Sequence, residues 1–313
     1  MRIFFATDIH GSEVCWKKFL NCGEHYKADV VILGGDMTGK ALVPIVDDGG
    51  GRWHATLLEN REELDGEDAV VAFEQAVMRR GYYPFRTTQG ELAELSASEE
   101  RWHALFDQHM IGTVERWMKM ADDKLGGSGI RVFVCPGNDD QLEIDEIVEA
   151  ASTVELGEGR VVDIDGFQLA SSGWANRTPW DTYREEDEDD LKRRFDEMIQ
   201  HVTAEPEKTI FSLHCPPYGT GLDDAPQLTA EMDLKDAGRS TVPVGSTAVR
   251  QVIEEHQPAL GLHGHIHEAR GSTRLGRTLC INPGSSYEQG QLLGAVIELD
   301  GKKKVKKFVL TSG

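Results

Sequence analysis

The sequence predicts an α/β fold, and three observations carry that expectation. Short β-branched and aromatic runs bounded by glycine or polar positions recur at Arg2 to Ala6, Val30 to Leu33, Ile130 to Val134, Thr209 to Leu213 and Ala259 to Leu262, the pattern of buried strands. Helical stretches such as Glu13 to Cys22 and Ser246 to His256 fall between several of them, giving strand and helix alternation. The chain has 313 residues, 39% hydrophobic and 28% charged, which suits one large domain or one domain carrying an insertion.

The rhythm breaks from about Ala41 to Leu125. Ala41 to Val46 and Arg52 to Leu58 flank Asp47-Asp48-Gly49-Gly50-Gly51 and predict a hairpin, followed by a helix from about Glu67 to Arg80. Ser96, with Glu99 three residues on, predicts a capping box for a longer helix, along which Trp102, Leu105, Phe106, His109, Val114, Trp117, Met118 and Leu125 keep helical spacing. The segment 41–125 reads as an α+β cap inserted between two core strands. Further on, the acidic run Glu185 to Asp190 is expected near the start of a helix, as a solvated face suited to the macrodipole. Runs at Thr278 to Ile281, Leu292 to Leu299 and Val305 to Leu310, with short turns such as Asp300-Gly301, predict an antiparallel meander.

Charge and cysteine use bound the function. With 54 acidic against 33 basic residues the formal net charge is -21, which disfavours long nucleic acid and anionic lipid as partners. No apolar run approaches the roughly 18 residues of a membrane span, and the Met1 to Phe5 start leads straight into a strand rather than a secretory signal. The five cysteines are odd in number and lack CxxC spacing, so neither a disulfide framework nor a zinc ribbon is indicated. A cytoplasmic location is the expectation.

The chemistry gathers where strands end. Asp8-Ile9-His10 follows the first strand, Gly34-Gly35-Asp36 the second, and Gly137-Asn138-Asp139-Asp140 the run ending at Val134. His214 and Gly264-His265-Ile266-His267 follow two later strands. On an extended chain residues two apart share a side, so Asp8 and His10 are placed to grip one ion together. Any one of these signals is weak. Together, two aspartates, one asparagine and four histidines at strand ends suit transition-metal ions such as manganese, iron or zinc better than calcium, which prefers all-oxygen shells.

Taken in order, DxH, GD, GN, H and GHxH resemble the motifs of the calcineurin-like metallophosphoesterases. Asn282-Pro283-Gly284-Ser285 is similar to the small bacterial and archaeal phosphodiesterase branch. The resemblance covers the core on both sides of the insertion. It implies a four-layer αββα sandwich, two packed mixed β-sheets flanked by helices, and two divalent transition-metal ions, manganese first, with iron, zinc or nickel as alternatives. It also implies that one ion is held by Asp8, His10, Asp36 and His267, and the other by Asp36, Asn138, His214 and His265, with Asp36 bridging. Such a pair, roughly 3.5 to 4 Å apart, would supply a bridging hydroxide for in-line attack on phosphorus.

One position departs from the family pattern. Where GNH[DE] places histidine, this chain has Asp139, which is a poor general acid at neutral pH unless burial or a neighbour such as Asp140 raises its pKa. Asp139, Asn138 and His214 form the expected catalytic set. Two divalent ions slightly outweigh Asp8, Asp36 and a hydroxide, and an ionised Asp139 would bring the site to neutrality. A phosphodiester monoanion therefore fits better than a phosphomonoester dianion. The arginine that the protein-phosphatase branch carries shortly after GD is absent from Met37-Thr38-Gly39-Lys40.

The expected function is hydrolysis of a small phosphodiester. The alternatives are a phosphomonoesterase for a nucleotide, sugar phosphate or phosphoprotein, and a catalytically silent scaffold, a reading that the retained ligands oppose. Several residues take bland readings. Cys215 is a structural thiol, His263 a packing residue, and Arg52, Trp53 and His54 part of the cap's own packing. The lysines Lys302, Lys303, Lys304, Lys306 and Lys307 guard an edge strand. Trp174 and Asn176, in the loop after the run Phe167 to Ala170, are candidates for the border of the cleft.

Overall fold

The computed structural model describes residues 1–229, 232–301 and 304–313. Two six-stranded mixed sheets form its centre. In the first, the strand order is Lys304–Ser312, Leu293–Asp300, Arg2–Ala6, Val30–Leu33, Arg131–Val134 and Val154–Leu156. The last four run parallel, and the first two add an antiparallel hairpin at one edge. In the second, the order is Gly271–Leu275, Thr278–Asn282, Leu260–Leu262, Thr209–Leu213, Phe167–Ser172 and Arg160–Ile164, with four parallel strands between two antiparallel edges.

Side-chain alternation builds the layers. Along the first strand, Ile3 and Phe5 point into a core shared with Leu169, Ile210, Leu260 and Ile281 of the second sheet, while Phe4 and Ala6 point the other way. On that outer face lie helices Glu13–Tyr26 and Glu99–Leu125, which bring Trp16, Phe19, Val114 and Trp117 against the sheet. Helices Glu188–Ile199 and Thr247–His256 cover the second sheet through Leu191, Phe195, Val249 and Val252. The result is the expected helix, sheet, sheet, helix order. Because each sheet is buried on both faces, its parallel strands read as continuous apolar runs.

Local expectations held less evenly. The hairpin between Leu42 and Leu57 exists, but it belongs to a separate four-stranded sheet ordered Asn60–Asp65, Arg52–Leu57, Leu42–Gly49 and Tyr83–Thr88. The outer strand Asn60–Asp65 is almost wholly polar and exposed, so it carries no burial signature for a sequence reading to find. Helix Glu67–Arg79 lays Val70, Phe73 and Val77 on this sheet. The capping box falls at Thr88 and Glu91, opening helix Gln89–Ser96. Ser96 therefore ends a helix, and Ser98 caps the long one by accepting from the Arg101 N–H.

The C-terminal meander is corrected as well. Thr278–Asn282 lies in the second sheet, parallel to Leu260–Leu262, while the two later strands pair in the first sheet. Short connections had hidden a change of sheet. Of the lysine cluster, Lys302 and Lys303 lie outside the described residues; Lys306 and Lys307 are exposed on the edge strand Lys304–Ser312. No helix among the described residues is long and apolar enough to cross a membrane.

The stacked pair of Trp16 and Trp117, with ring centroids 5.1 Å apart and both fully buried, joins the long helix to the core. Trp117→Ala is expected to lower the unfolding free energy in urea by about 3 to 5 kcal/mol, the range for a large buried aromatic. A loss below about 1 kcal/mol would show that this contact does not hold the layer.

Candidate metal centre

The five motif-bearing loops meet at one end of the sandwich, at the C-terminal ends of parallel strands from both sheets. Asp8 and His10 follow Arg2–Ala6, Asp36 follows Val30–Leu33, and Asn138 follows Arg131–Val134. His214 comes after Thr209–Leu213, and His265 and His267 after Leu260–Leu262. Backbone bonds join the first two loops: Asp8 N–H donates to Gly35 O at 2.9 Å, His10 N–H to Asp36 O at 2.9 Å and Gly11 N–H to Met37 O at 2.8 Å. The second sheet closes on them, since the His265 N–H lies 3.1 Å from both Asp8 oxygens and Gly264 N–H donates to His214 O at 2.8 Å.

The local backbone is not the extended one expected around Asp8 and His10. Asp8, His10, Asp36 and His265 have φ of 53°, 38°, 50° and 67°. Four of the seven candidate ligands thus sit at positive φ, which few residues other than glycine tolerate; Asp and His are among the better ones. Tight left-handed turns, rather than strand alternation, aim these side chains inward. Glycine is required where the loops touch. A Cβ at Gly35 would lie 2.0 Å from His214 Nδ1, and one at Gly264 would lie 2.3 Å from Asp8 Oδ2.

Two sets of candidate ligands result. Asp8, His10 and His267 place one ligand atom each within 4.8 Å of one another, and so do Asp36, His214 and His265. The His10 and His267 Nε2 atoms are 3.0 Å apart, His267 Nε2 is 3.3 Å from Asp8 Oδ1, and His214 Nε2 is 3.3 Å from Asp36 Oδ2. Asn138 stands beside them, because the next N–H, that of Asp139, donates to Asp36 Oδ1 at 3.0 Å. All seven expected ligands are therefore brought together.

Electrostatics show a site built around positive charge. Burial alone would raise the Asp8 and Asp36 carboxyls; the histidines around them, His267 and His214 foremost, reverse this and hold both well below the usual range. Burial likewise opposes a charged His214, yet Asp36 and Asp8 win and push it up to about 10. His265 goes the other way, to about 4, through burial and the neighbouring His214. Burial, then Lys40, keeps His10 well below its ordinary value. Neutral imidazoles are the metal-binding form.

The donor set fits metal ions on a second count. Asn138 Oδ1 is buried and finds no hydrogen-bond partner among the described residues, although buried polar atoms are nearly always paired. His214 Nδ1 meets Gly34 O at 3.0 Å, which turns Nε2 into the centre. Asn138 Nδ2 donates to Thr182 Oγ1 at 2.8 Å, leaving Oδ1 as the inward group.

Residues given no ligand or catalytic role in the sequence reading hold the loops. Asp140, fully buried, accepts from the N–H groups of Met37, Thr38 and Gly137 at 3.0, 2.8 and 2.7 Å and from Thr38 Oγ1 at 2.6 Å, tying the GD loop to the GN loop. Arg184, also fully buried, donates to the Asp140 and Gln141 carbonyls and pairs with Asp145 at 2.7 Å. The acidic run opens helix Glu188–Ile199 as expected, with Asp187, Asp189 and Asp190 exposed, but its other members are engaged. Glu185 is buried and accepts from Thr178 and Thr182, so it anchors the partner of Asn138. Glu188 accepts from the Ser246 hydroxyl and the Thr247 and Ala248 N–H groups at the start of another helix.

Asp139 lies at the rim. Burial, then the Asp36 carboxylate, raises it to about 6 against the pull of Lys40, whose Nζ is 2.9 Å away; Asp140 adds less than Asp36. The ring of Tyr287 lies 4.7 Å from that of His10 and 5.9 Å from that of His267. A groove of about 410 Å3 opens past His267, between Tyr287, Arg270, Ser286 and Gln289. Lys40 and Tyr287 carried no motif and become visible only when the loops are assembled.

The remaining expectations resolve simply. His263 is buried with Nδ1 2.8 Å from Leu213 O. Burial pushes the Cys215 thiol up to about 12, which makes it inert. Trp53 packs against the small core between the four-stranded sheet and helix Glu67–Arg79, and His54 Nδ1 meets Asp48 at 2.8 Å. Trp174 lies under the Arg194 guanidinium, and Asn176 donates to Val244 O.

The fold class is shared with solved proteins. One crystal structure aligns with a TM-score of 0.56 at 15% identity, over 99% of this chain and 98% of that one. TT1561 of Thermus thermophilus aligns with a TM-score of 0.51 at 13% identity, over 100% of this chain and 97% of its own. At such identities the likeness is one of fold. Among curated proteins, the uncharacterized protein MJ1162 of Methanocaldococcus jannaschii is 29% identical over 158 residues, which cover 49% of this chain and 64% of that protein, just under two-thirds of its length. No protein-family model matches the chain.

Asp140→Ala strips three buried N–H groups of their acceptor, at about 1 to 3 kcal/mol each. Metal-free protein carrying it is expected to lose roughly 3 kcal/mol or more in urea unfolding. An unchanged midpoint would mean that water satisfies these groups and that Asp140 does not join the loops.

Proposed function

We propose that this chain is a metal-dependent phosphoesterase of the calcineurin-like type that hydrolyses a small phosphodiester. The observation that carries this reading is the convergence of Asp8, His10, Asp36, Asn138, His214, His265 and His267 on one buried spot, with Asn138 Oδ1 there lacking a partner among the described residues. Asp8, His10, Asp36 and His267 would hold one ion, and Asp36, Asn138, His214 and His265 a second. Manganese is the first metal to test, with iron, zinc and nickel following. When bound, such a pair supplies Lewis acidity and a water acidic enough to attack phosphorus near neutral pH.

The chain's own residues orient and select. Thr182 fixes Asn138, the Gly34 carbonyl fixes the His214 ring, and the left-handed turns at Asp8, His10, Asp36 and His265 fix the two carboxylates and two further imidazoles. No side chain here is poised as a covalent nucleophile; Cys215, the thiol nearest in sequence, is fully buried and protonated. Asp139 is paired with Lys40, so the rim stays close to neutral and the metals would leave only a small positive excess, which a monoanionic diester matches. The groove beside His267 offers room for the diester's second substituent. All five cysteines are free and buried, which accords with a reducing cytoplasm.

Two linked outcomes are expected. The purified protein carries or takes up two equivalents of transition metal by elemental analysis, and with manganese it turns over bis-p-nitrophenyl phosphate faster than p-nitrophenyl phosphate. Asp36→Asn loses metal and turnover together, by about a hundredfold or more in rate. Turnover of the monoester well above the diester would overturn the substrate class, and an active Asp36→Asn would overturn the ligand assignment.

A further inference from the structure

The proposed chemistry leaves one ion pair unused. Lys40 and Asp139 face each other at 2.9 Å on the rim, with Asp139 Oδ2 3.7 Å from His10 Nδ1. They come from different loops. Lys40 ends the segment that follows Asp36, and Asp139 follows Asn138, so the pair spans the two loops that Asp140 ties together beneath it.

The surroundings fix where the ammonium stands. The N–H of Gly39, next to Lys40, donates to the buried Tyr83 hydroxyl of the cap sheet at 2.7 Å, and Gly39 also packs against the Gly81 carbonyl with no room for a side chain. The backbone at Lys40 is thus clamped by the cap. The side chain of Lys40 is 46% exposed and that of Asp139 only 20%, so the carboxylate is the more enclosed partner and the lysine remains open to solvent. Its Nζ meets Asp139 Oδ2, which itself lies 3.7 Å from His10 Nδ1, so the ammonium stands on the His10 side of the centre.

An ammonium has three donor hydrogens, and one carboxylate does not saturate it. We infer that Lys40 binds a non-bridging oxygen of the substrate's phosphoryl group from the side facing the metals, with Asp139 as the positioning residue that holds Lys40 there. This rests on the phosphoesterase reading. It also accounts for the aspartate at position 139, where the family pattern has histidine: a carboxylate that holds a lysine brings a cation to the same rim. The cap takes part, since Tyr83 fixes the backbone from which that cation extends.

Inorganic phosphate is the probe, titrated calorimetrically into manganese-loaded protein, with metal content measured on each sample. Lys40→Met is expected to weaken phosphate binding about ten- to a hundredfold, the range for a charge-assisted hydrogen bond, with both metals retained. Lys40→Arg is expected to restore it to within a few-fold. The double variant Lys40→Met with Asp139→Asn separates contact from neutralisation. Binding stays weak if Lys40 touches phosphate and returns to the wild-type level if Lys40 only offsets Asp139. That return, unchanged binding in Lys40→Met with both metals present, or a wild type that binds no phosphate would each overturn the inference. Diester turnover, read in parallel, is separate. Phosphate binding that depends on Lys40 without turnover defeats the hydrolase reading alone, whereas turnover with binding indifferent to Lys40 defeats this inference alone.

Discussion

Two carboxylates, Asp8 and Asp36, are buried together at 1% and 2% exposure at the mouth of a sandwich whose cores are aliphatic and aromatic. Burying like charges side by side is unfavourable unless positive charge or metal ions compensate. This constraint explains much of what surrounds them. Four imidazoles converge on the pair, Asp36 and Asp8 raise the His214 imidazole to about 10 when no metal is bound, and the buried Asn138 Oδ1 has no partner among the described residues. The carboxylates also serve the fold, since Asp8 accepts from the His265 N–H and Asp36 from that of Asp139, so the same side chains that call for cations fasten the two sheets' loops together.

That arrangement is rigid because its support is layered. Left-handed turns at Asp8, His10, Asp36 and His265 store backbone strain, which persists only where neighbours over-determine it. Here the neighbours are Asp140, with four hydrogen bonds across two loops, and Arg184, which closes the loop after Asn138 from below. The separate four-stranded sheet adds a third tie, since its Tyr83 hydroxyl accepts from the Gly39 N–H. That sheet thereby also fixes the backbone of the segment that carries Lys40.

Much of this was legible in the sequence, and the reasons are physical. Parallel strands buried on both faces leave continuous apolar runs, so Arg2–Ala6, Val30–Leu33 and Thr209–Leu213 could be read almost to the residue. Candidate ligands at their ends followed from the glycines and polar residues that break those runs. What stayed hidden was exposed or non-local. The polar strand Asn60–Asp65 has no apolar face, and the change of sheet between Thr278–Asn282 and Leu293–Asp300 leaves no mark in a pattern of runs and turns. Asp140 looked like a mere neighbour of Asp139, Glu185 like one more surface acid, and Lys40 like the absence of an arginine; each owes its role to partners from 3 to more than 100 residues away.

The central claim is that the buried acidic pair exists to hold two metal ions. Anomalous diffraction from crystals soaked in manganese tests it directly, because it locates ions without reference to activity. The account predicts two peaks, one among Asp8, His10 and His267 and one among Asp36, Asn138, His214 and His265, with density reaching Asp36 from both. A map with no peak at this end of the sandwich, or with manganese only elsewhere, would contradict it.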